Sequence, residues 1–487
     1  MNLTDCKTKF ETARGKIFCD KVKNFFYSGY FLLIIACITI ICWNFSLVPL
    51  GLIVHGLLIT FLLFFSKDIT VIFPSVLGLV FVFPPNTDIS KYMLSLLILI
   101  PIAVGLIFHL VYYRKKFDKG QYFYPLLLVS VALVIGGIGG CNATQYLNGL
   151  PMSLFLGFGL FGLYVLFHNY SHMDDENIGE YLAKIMCFVG FYLFLEVMIF
   201  YVNQNFDFTN VDLHYDMQLG VVNSNGVAIL LEMCIPLGFY LFLKSEGKKR
   251  YIYALIIVLE YTALFFTYSK AGIITTVLMT PFLVIYTGIK TTHKKAYWLV
   301  ISLLAITVIA ILIYKKDAVI AIADKVIDLF KNFSFDKLDE FFSTRITLYT
   351  KAIEVFLSNP LFGGSMGYYG CGFEHFYWYH NTILQILASM GIIGLFIFIY
   401  KYIVKFKIIC FDMKKRAFNA LLFMMFLAFE FHAMFETSTF MPMPAMTLVT
   451  FIVAMTELNN KRSDYEDFSK KALKNNLNNR QKQGLTE

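Results

Sequence analysis

Charge is what this 487-residue chain has least of. Asp, Glu, Lys and Arg make up 15% of it, against roughly 25% in a soluble domain, while 58% is hydrophobic. That shortage excludes an ordinary soluble enzyme and sets the class as integral membrane. Cysteine follows no metal-ligand spacing: Cys6 and Cys19 lie on the N-terminal arm, and most of the others sit in apolar runs, where a thiol packs as a small hydrophobe. The Gly-Lys-Ser/Thr ending of a phosphate-binding P-loop is missing. No small-residue cleavage site follows the first apolar run, so a retained first span is expected rather than a signal peptide. No internal repeat is visible.

What the chain has instead is long apolar runs. A bilayer-crossing helix needs roughly 20 apolar residues, with about 17 as a lower limit. On that scale fourteen spans are predicted, near 29–45, 48–65, 69–84, 93–113, 123–140, 150–168, 181–202, 226–243, 251–267, 271–288, 296–314, 381–400, 417–435 and 443–457. The short third span and the Ser66-Lys67-Asp68 turn also fit a re-entrant pair, which keeps the same parity. The expected fold is all-α and polytopic, with about 12–14 spans. Residues 1–28 form a cytoplasmic basic arm, 29–314 transmembrane helices, 315–380 a long extracytoplasmic loop with short helices, 381–457 further transmembrane helices and 458–487 a cytoplasmic disordered tail.

The basic residues orient this arrangement. With the arm inside and the spans alternating, cytoplasmic segments hold 32 of the 41 Lys and Arg, counting the run from Lys401 to Arg416 as one such segment, and seven of the rest lie in the single long loop. Membrane proteins orient by this bias, so both termini are predicted to be cytoplasmic in a cell-membrane protein. The net charge of +8 therefore does not call for nucleic acid. The loops at 203–225 and 315–380 and the Ser269-Lys270 turn then face outward. Cys141 and Cys371 are the cysteines on that side, where a bridge between them is conceivable.

The long loop carries the chemistry. Val319, Ile322, Ala323, Val326, Ile327 and Phe330 recur at helical spacing, which predicts an amphipathic surface helix over 317–333. A second helix is predicted to start at Ser343 or Thr344 and to end before Pro360. Arg345 falls in its first turn. A cation is unfavourable for a helix start, but free N–H groups beside a guanidinium fork suit a phosphate; the alternative is a solvated surface arginine. His380 follows the aromatic run Phe376-Tyr377-Trp378-Tyr379 and precedes Asn381, a cap for the next span. Such aromatics ordinarily form an interfacial belt. A histidine among them has an ordinary pKa of about 6.5, suited to taking a hydroxyl proton near neutral pH; His375 competes for that role. Gly363 and Gly364 head a glycine-rich turn that permits close backbone approach to a ligand. Lys270 is either a phosphate-binding point charge or a snorkelling lysine. Asn223 and Asn225 either bind sugar hydroxyls or cap the eighth span. Glu436, near the outer end of the thirteenth span, lies within reach of the same region. Glu196, Glu232, Glu260 and Glu430 are acids inside spans, costly there and often functional. No outer loop carries acids at metal-ligand spacing.

The order of these pieces resembles a known family. The Arg345 helix, then Asn359-Pro360-Leu361-Phe362-Gly363-Gly364, then His380-Asn381, then Gly391-Ile392-Ile393-Gly394-Leu395, is similar to the C-terminal module of bacterial O-antigen ligases and O-antigen or capsule polymerases. Tyr268-Ser269-Lys270-Ala271-Gly272 resembles that family's Ser-Arg turn, and Val222-Asn223-Ser224-Asn225-Gly226 its Asn-rich helix start. The likeness covers about residues 215–400. It implies a metal-independent, inverting glycosyl transfer on the outer leaflet, without cofactor, from a polyprenyl-diphosphate-linked oligosaccharide to a glycan or lipid acceptor. His380 would be the base. Arg345 would hold the diphosphate, with Lys270 in place of the family's arginine; lysine lacks the planar fork. Asn223, Asn225, Gly363, Gly364, Tyr379, Asn381 and Glu436 would line the substrate site. Membrane lipids, a flippase and a chain-length regulator are the expected partners. The Lys-, Asn- and Ile-rich composition fits an AT-rich genome and favours a capsule or exopolysaccharide polymerase over a ligase. A transporter is the competing class, but it would be expected to show repeated halves and a cationic path through the membrane.

Overall fold

The computed structural model describes residues 20–83, 89–92, 94–141, 143–172, 178–205, 217–219, 222–314, 331, 334, 345–366, 378–437, 440 and 444–462. Most of the surface helix expected over 317–333, the cap at Ser343 or Thr344, Cys371, His375, most of the arm and the tail beyond 462 lie outside these residues.

Each of the fourteen apolar runs is mainly helical over its described residues, and the fold is an all-α polytopic bundle. The helices are α1 (Asp20–Phe26), α2 (Gly29–Asn44), α3 (Val48–Phe65), α4 (Phe73–Phe81), α5 (Leu99–Tyr112), α6 (Phe123–Ile135), α7 (Ala143–Leu154), α8 (Leu160–Tyr170), α9 (Ile178–Asn203), α10 (Ser224–Lys244), α11 (Lys249–Phe266), α12 (Lys270–Lys290), α13 (Lys294–Tyr314), α14 (Arg345–Ser358), α15 (Thr382–Ile409), α16 (Ala417–His432) and α17 (445–462). Among the described residues, seven helical stretches are long and apolar enough to cross a membrane, and four shorter apolar helices accompany them. A two-residue antiparallel ladder, Gln218–Leu219 with Val222–Asn223, precedes α10 and was not foreseen.

α10 is the centre. Apart from Glu232 and its ends its sequence is apolar on every side, and nearly all of it is buried, as expected of a helix with no face left for solvent or lipid. α9, α11, α12 and α16 surround it. α15 is broken at Gly391, where φ is +64°; a Cβ there would lie 2.6 Å from the Pro360 carbonyl oxygen. Only glycine tolerates both the left-handed backbone and that approach. The break opens α15 to the 359–366 turn: Gly364 N donates to Ala388 O at 2.6 Å, Ser365 N to Ser389 O at 3.2 Å and Ile392 N to Pro360 O at 2.8 Å. The turn also reaches α6, with Gly137 N donating to Phe362 O at 2.8 Å.

One sequence expectation changes. Lys401 and Lys405 were counted with a cytoplasmic segment, but α15 runs on to Ile409 and buries both. Lys405 pairs with Glu430 of α16, and Lys401 stands 4.7 Å from the Phe398 ring. The helix continues because the two ammonium groups find a carboxylate and aromatic faces inside the bundle. Cys141 has no disulfide partner among the described residues, and Cys371 lies outside them.

Candidate active site

At one end of the bundle three helices start with side-chain caps. Asn223 Oδ1 accepts from Gly226 N at 3.0 Å, Ser269 Oγ from Gly272 N at 3.1 Å and Asn381 Oδ1 from Leu384 N at 3.0 Å. Each cap satisfies an orphan amide and fixes where its helix begins. Two residues just before these caps have left-handed backbone, Tyr268 at φ +54° and His380 at φ +48°. Such a conformation is uncommon outside glycine and persists where the surroundings enforce it. At His380 the enforcement is visible. Tyr379 N donates to Gln385 Oε1 at 3.1 Å, Asn381 Nδ2 donates to Met434 O at 2.9 Å, and Thr382 N donates to Ala433 O at 3.0 Å. The turn before α15 is thereby clamped to the end of α16.

That clamp sets His380 against Glu436. His380 Nδ1 lies 2.5 Å from Glu436 Oε1. The other carboxylate oxygen accepts from Asn225 Nδ2 at 3.0 Å and faces the Arg345 guanidinium at 3.5 Å. Asn225 Oδ1 in turn accepts from Ser269 Oγ at 2.7 Å, so the cap of α12 is part of the same chain of contacts. Four segments far apart in sequence, the starts of α10, α14 and α15 and the end of α16, meet at one carboxylate. Glu436 is 2% exposed, whereas the His380 and Arg345 side chains remain 31% and 19% exposed.

The electrostatics follow from these contacts. Burial alone would raise the Glu436 pKa. The His380 hydrogen bond and charge, then Arg345 and His432, outweigh burial and hold the carboxyl below its ordinary value of 4.5. A carboxylate can only accept, so in the neutral imidazole Nδ1 of His380 carries the proton and Nε2 the lone pair. Tyr349, one turn after Arg345 on α14, donates to His380 O at 3.4 Å. Burial raises its pKa; Arg345 opposes that and Glu436 adds to it.

The remaining sequence candidates separate. Asn225 and Glu436 are in the cluster. Asn381 and Tyr379 support its backbone. Asn223 is exposed and caps α10. Lys270 is exposed at the first position of α12, next to Ser269. The described contacts of Gly363 and Gly364 are with the broken α15, and a Cβ on Gly363 would lie 2.6 Å from Ala388 O; these contacts give the two glycines a packing role, and no described contact joins them to Glu436.

Sequence reasoning passed over two residues. Tyr349 stands four after Arg345, and His432 four before Glu436; that helical spacing was the available signal. His432 Nδ1 lies 3.1 and 3.0 Å from the two oxygens of Glu232 on α10, and both side chains are fully buried. Of the other acids inside spans, Glu196 is bonded by Tyr192 and Glu430 pairs with Lys405. Glu260 is fully buried, with neither oxygen partnered among the described residues. No group of three or more metal-ligating side chains is found among the described residues.

These features define a multi-pass membrane protein with a histidine–carboxylate–cation cluster at one end of its bundle. Residues 253–399 match the family model described as O-antigen ligase, and the chain resembles that family over this stretch. No curated protein gives a significant match. The matched stretch holds Lys270, Arg345 and His380 but neither Asn225 nor Glu436, which only the fold adds to the cluster.

Proposed function

We propose that the protein is a glycosyltransferase that moves a glycan from a polyprenyl-diphosphate carrier to a hydroxyl acceptor at the extracytoplasmic face of the cell membrane. The observation that carries this reading is the convergence of His380, Arg345 and Asn225 on the buried Glu436. The Lys/Arg bias supports the orientation, with both termini in the cytoplasm.

The geometry supports a single displacement at the anomeric carbon. Glu436 holds the imidazole by Nδ1, so Nε2 takes the proton of the acceptor hydroxyl as its oxygen attacks the anomeric carbon. The bond from that carbon to the diphosphate oxygen breaks on the opposite side, which inverts the configuration. The electron pair leaves with the diphosphate, whose charge Arg345 and Lys270 receive. Arg345 has five N–H donors, and the single 3.5 Å contact to Glu436 leaves others for phosphate. Glu436 stabilises the imidazolium formed in the step. General-base help is typically worth ~10²–10⁴-fold, and charge stabilisation of the leaving group is of similar size. A lipid-linked diphosphate sits at headgroup depth, which cations at helix starts can reach.

The composition favours polymerisation of capsule or exopolysaccharide repeat units. The ligase reading, in which the finished glycan passes to a lipid or cell-wall acceptor, is favoured by the description of the matching family. Purified protein in vesicles, given a polyprenyl-diphosphate oligosaccharide, tests both. Release of polyprenyl diphosphate with a lengthened glycan identifies the polymerase, and release with transfer to a different acceptor the ligase. Translocation of the donor without covalent change refutes the proposal and leaves a transporter.

A further inference from the structure

Beneath the cluster, α10 and α16 share a second polar contact. His432 is the last residue of α16, and Glu232 lies in the body of α10. His432 Nδ1 stands 3.1 and 3.0 Å from the two Glu232 oxygens, so that one N–H is shared between them, and both side chains are fully buried. We propose that Glu232 and His432 are positioning residues, which lock the end of α16 onto α10 and thereby place Glu436 against His380, an inference that rests on the transferase reading.

Three observations carry it. Asn225 and Glu232 are seven residues apart on α10, two turns, so they share one face about 10 Å apart. That face meets the end of α16 and its turn twice: Asn225 Nδ2 donates to Glu436 at 3.0 Å, and Glu232 accepts from His432. The two contacts are rungs of one ladder, and the buried rung fixes its register. Next, α16 stops at His432, so Glu436 stands on a turn and not on a helix. That turn begins at the His432 carbonyl, which accepts from Phe435 N at 2.9 Å. It also carries the Ala433 and Met434 carbonyls that accept from Thr382 N and Asn381 Nδ2, beside His380. A shift of His432 therefore moves both sides of the His380–Glu436 contact. Finally, stability does not call for the pair. A carboxyl inside a span is costly, and apolar side chains of like volume in place of a buried pair are often neutral or stabilising. What apolar packing lacks is a directional contact that selects one register between two helices.

The test replaces the pair with Glu232→Met and His432→Leu together, apolar side chains of similar volume. Thermal unfolding should stay at the wild-type level, while kcat falls about tenfold at unchanged donor KM, a typical cost for a group that orients another. Glu232→Gln keeps an oxygen that accepts from Nδ1–H and should retain kcat within about twofold. On a Glu436→Gln background the apolar pair should cost nothing further, because it acts only through Glu436. Three results overturn the proposal: wild-type kcat in the apolar variant, a loss that multiplies with that of Glu436→Gln, or a Glu232→Gln as slow as the apolar pair. Should the apolar variant not fold, Glu232→Asp, which draws the carboxylate back by one methylene, takes its place with the same expectations.

A second readout needs no turnover. In histidine-labelled protein the His380 Nδ1–H bonded to Glu436 gives a downfield proton resonance, assigned by its absence in His380→Ala. It should vanish in the apolar variant and persist in Glu232→Gln. Persistence in both overturns the positioning role. A protein that shows the expected pattern but transfers no glycan keeps the role of the pair and loses the glycosyltransferase reading alone.

Discussion

Two glutamates in the C-terminal part of the chain make an instructive pair. Glu436 follows α16 and is 2% exposed; Glu457 lies on α17, at the opposite end of the bundle, and is 1% exposed. Each is a hub for segments distant in sequence. Glu457 accepts from Gln121 N at 2.6 Å and from Tyr164 Oη at 2.8 Å, with Lys461 at 3.7 Å. Lys461 also bonds Asp118 at 2.7 Å. In the loop before α6, burial works against the Asp118 charge, but the Lys461 bond, the Gly120 amide and the Lys461 and His168 charges bring its pKa down to about 2. The partners of Glu457 include a main-chain amide and a buried phenol, so that network ties the end of α17 to the 118–121 loop. The partners of Glu436 include an imidazole and a guanidinium that stay partly open. A buried carboxylate by itself does not mark a site. What sets Glu436 apart is that an imidazole, a group able to take a proton, is among its partners and stays partly open, whereas the exposed partner of Glu457 is the Lys461 ammonium.

Four experiments would break or sharpen that contrast. The largest effect belongs to His380→Ala: transfer should fall by ~10²–10⁴-fold, the usual worth of a general base, with membrane insertion intact. Wild-type turnover in that variant removes His380 from the mechanism. Next comes Glu436→Gln, expected to lower kcat by about a hundredfold, since the amide can neither orient Nδ1–H as well nor stabilise the imidazolium.

The same variant has a pH signature. The folded pKa of Glu436 lies below its ordinary 4.5, so its contribution to stability is present above 4.5 and disappears as pH drops through the depressed value. Thermal unfolding of the wild type should therefore weaken on acidification below that point, and Glu436→Gln should flatten this limb. A limb of equal steepness in both proteins means another group carries it. Arg345→Ala should raise the donor KM about tenfold with a smaller change in kcat; unaltered donor kinetics count against its phosphate role. The smallest effect on transfer is expected from Glu457→Gln. It should cost about 1–3 kcal/mol of stability, as loss of a buried charged acceptor does, while turnover per folded molecule holds. Lost turnover at preserved stability would erase the distinction between the two ends.

Much of the site was legible in the chain, for local reasons. His380, Asn381 and Ser269 stood beside apolar runs, and helix starts attract caps. Arg345 was noticeable as a cation where a helix start disfavours one. The 363–364 turn was ambiguous, because a glycine pair looks the same whether it admits a ligand or another backbone. Gly363 meets the broken helix at Ala388, Ser389 and Met390. Lys401 and Lys405 misled: a lysine near a predicted span end counts as cytoplasmic until a partner such as Glu430 is seen. Glu436 was only one acid near a span end, and Tyr349 and His432 drew no attention at all.

The sequence by itself determined the membrane class, the helical runs and the capped helix starts, because hydropathy, periodicity and capping act between residues a few positions apart. Only the tertiary structure decided that Glu436 would join His380, 56 positions away, and Asn225, 211 positions away. Those contacts depend on how α10, α14, α15 and α16 pack. Packing is settled by the sum of many side-chain contacts across the bundle, which no local stretch of the chain encodes.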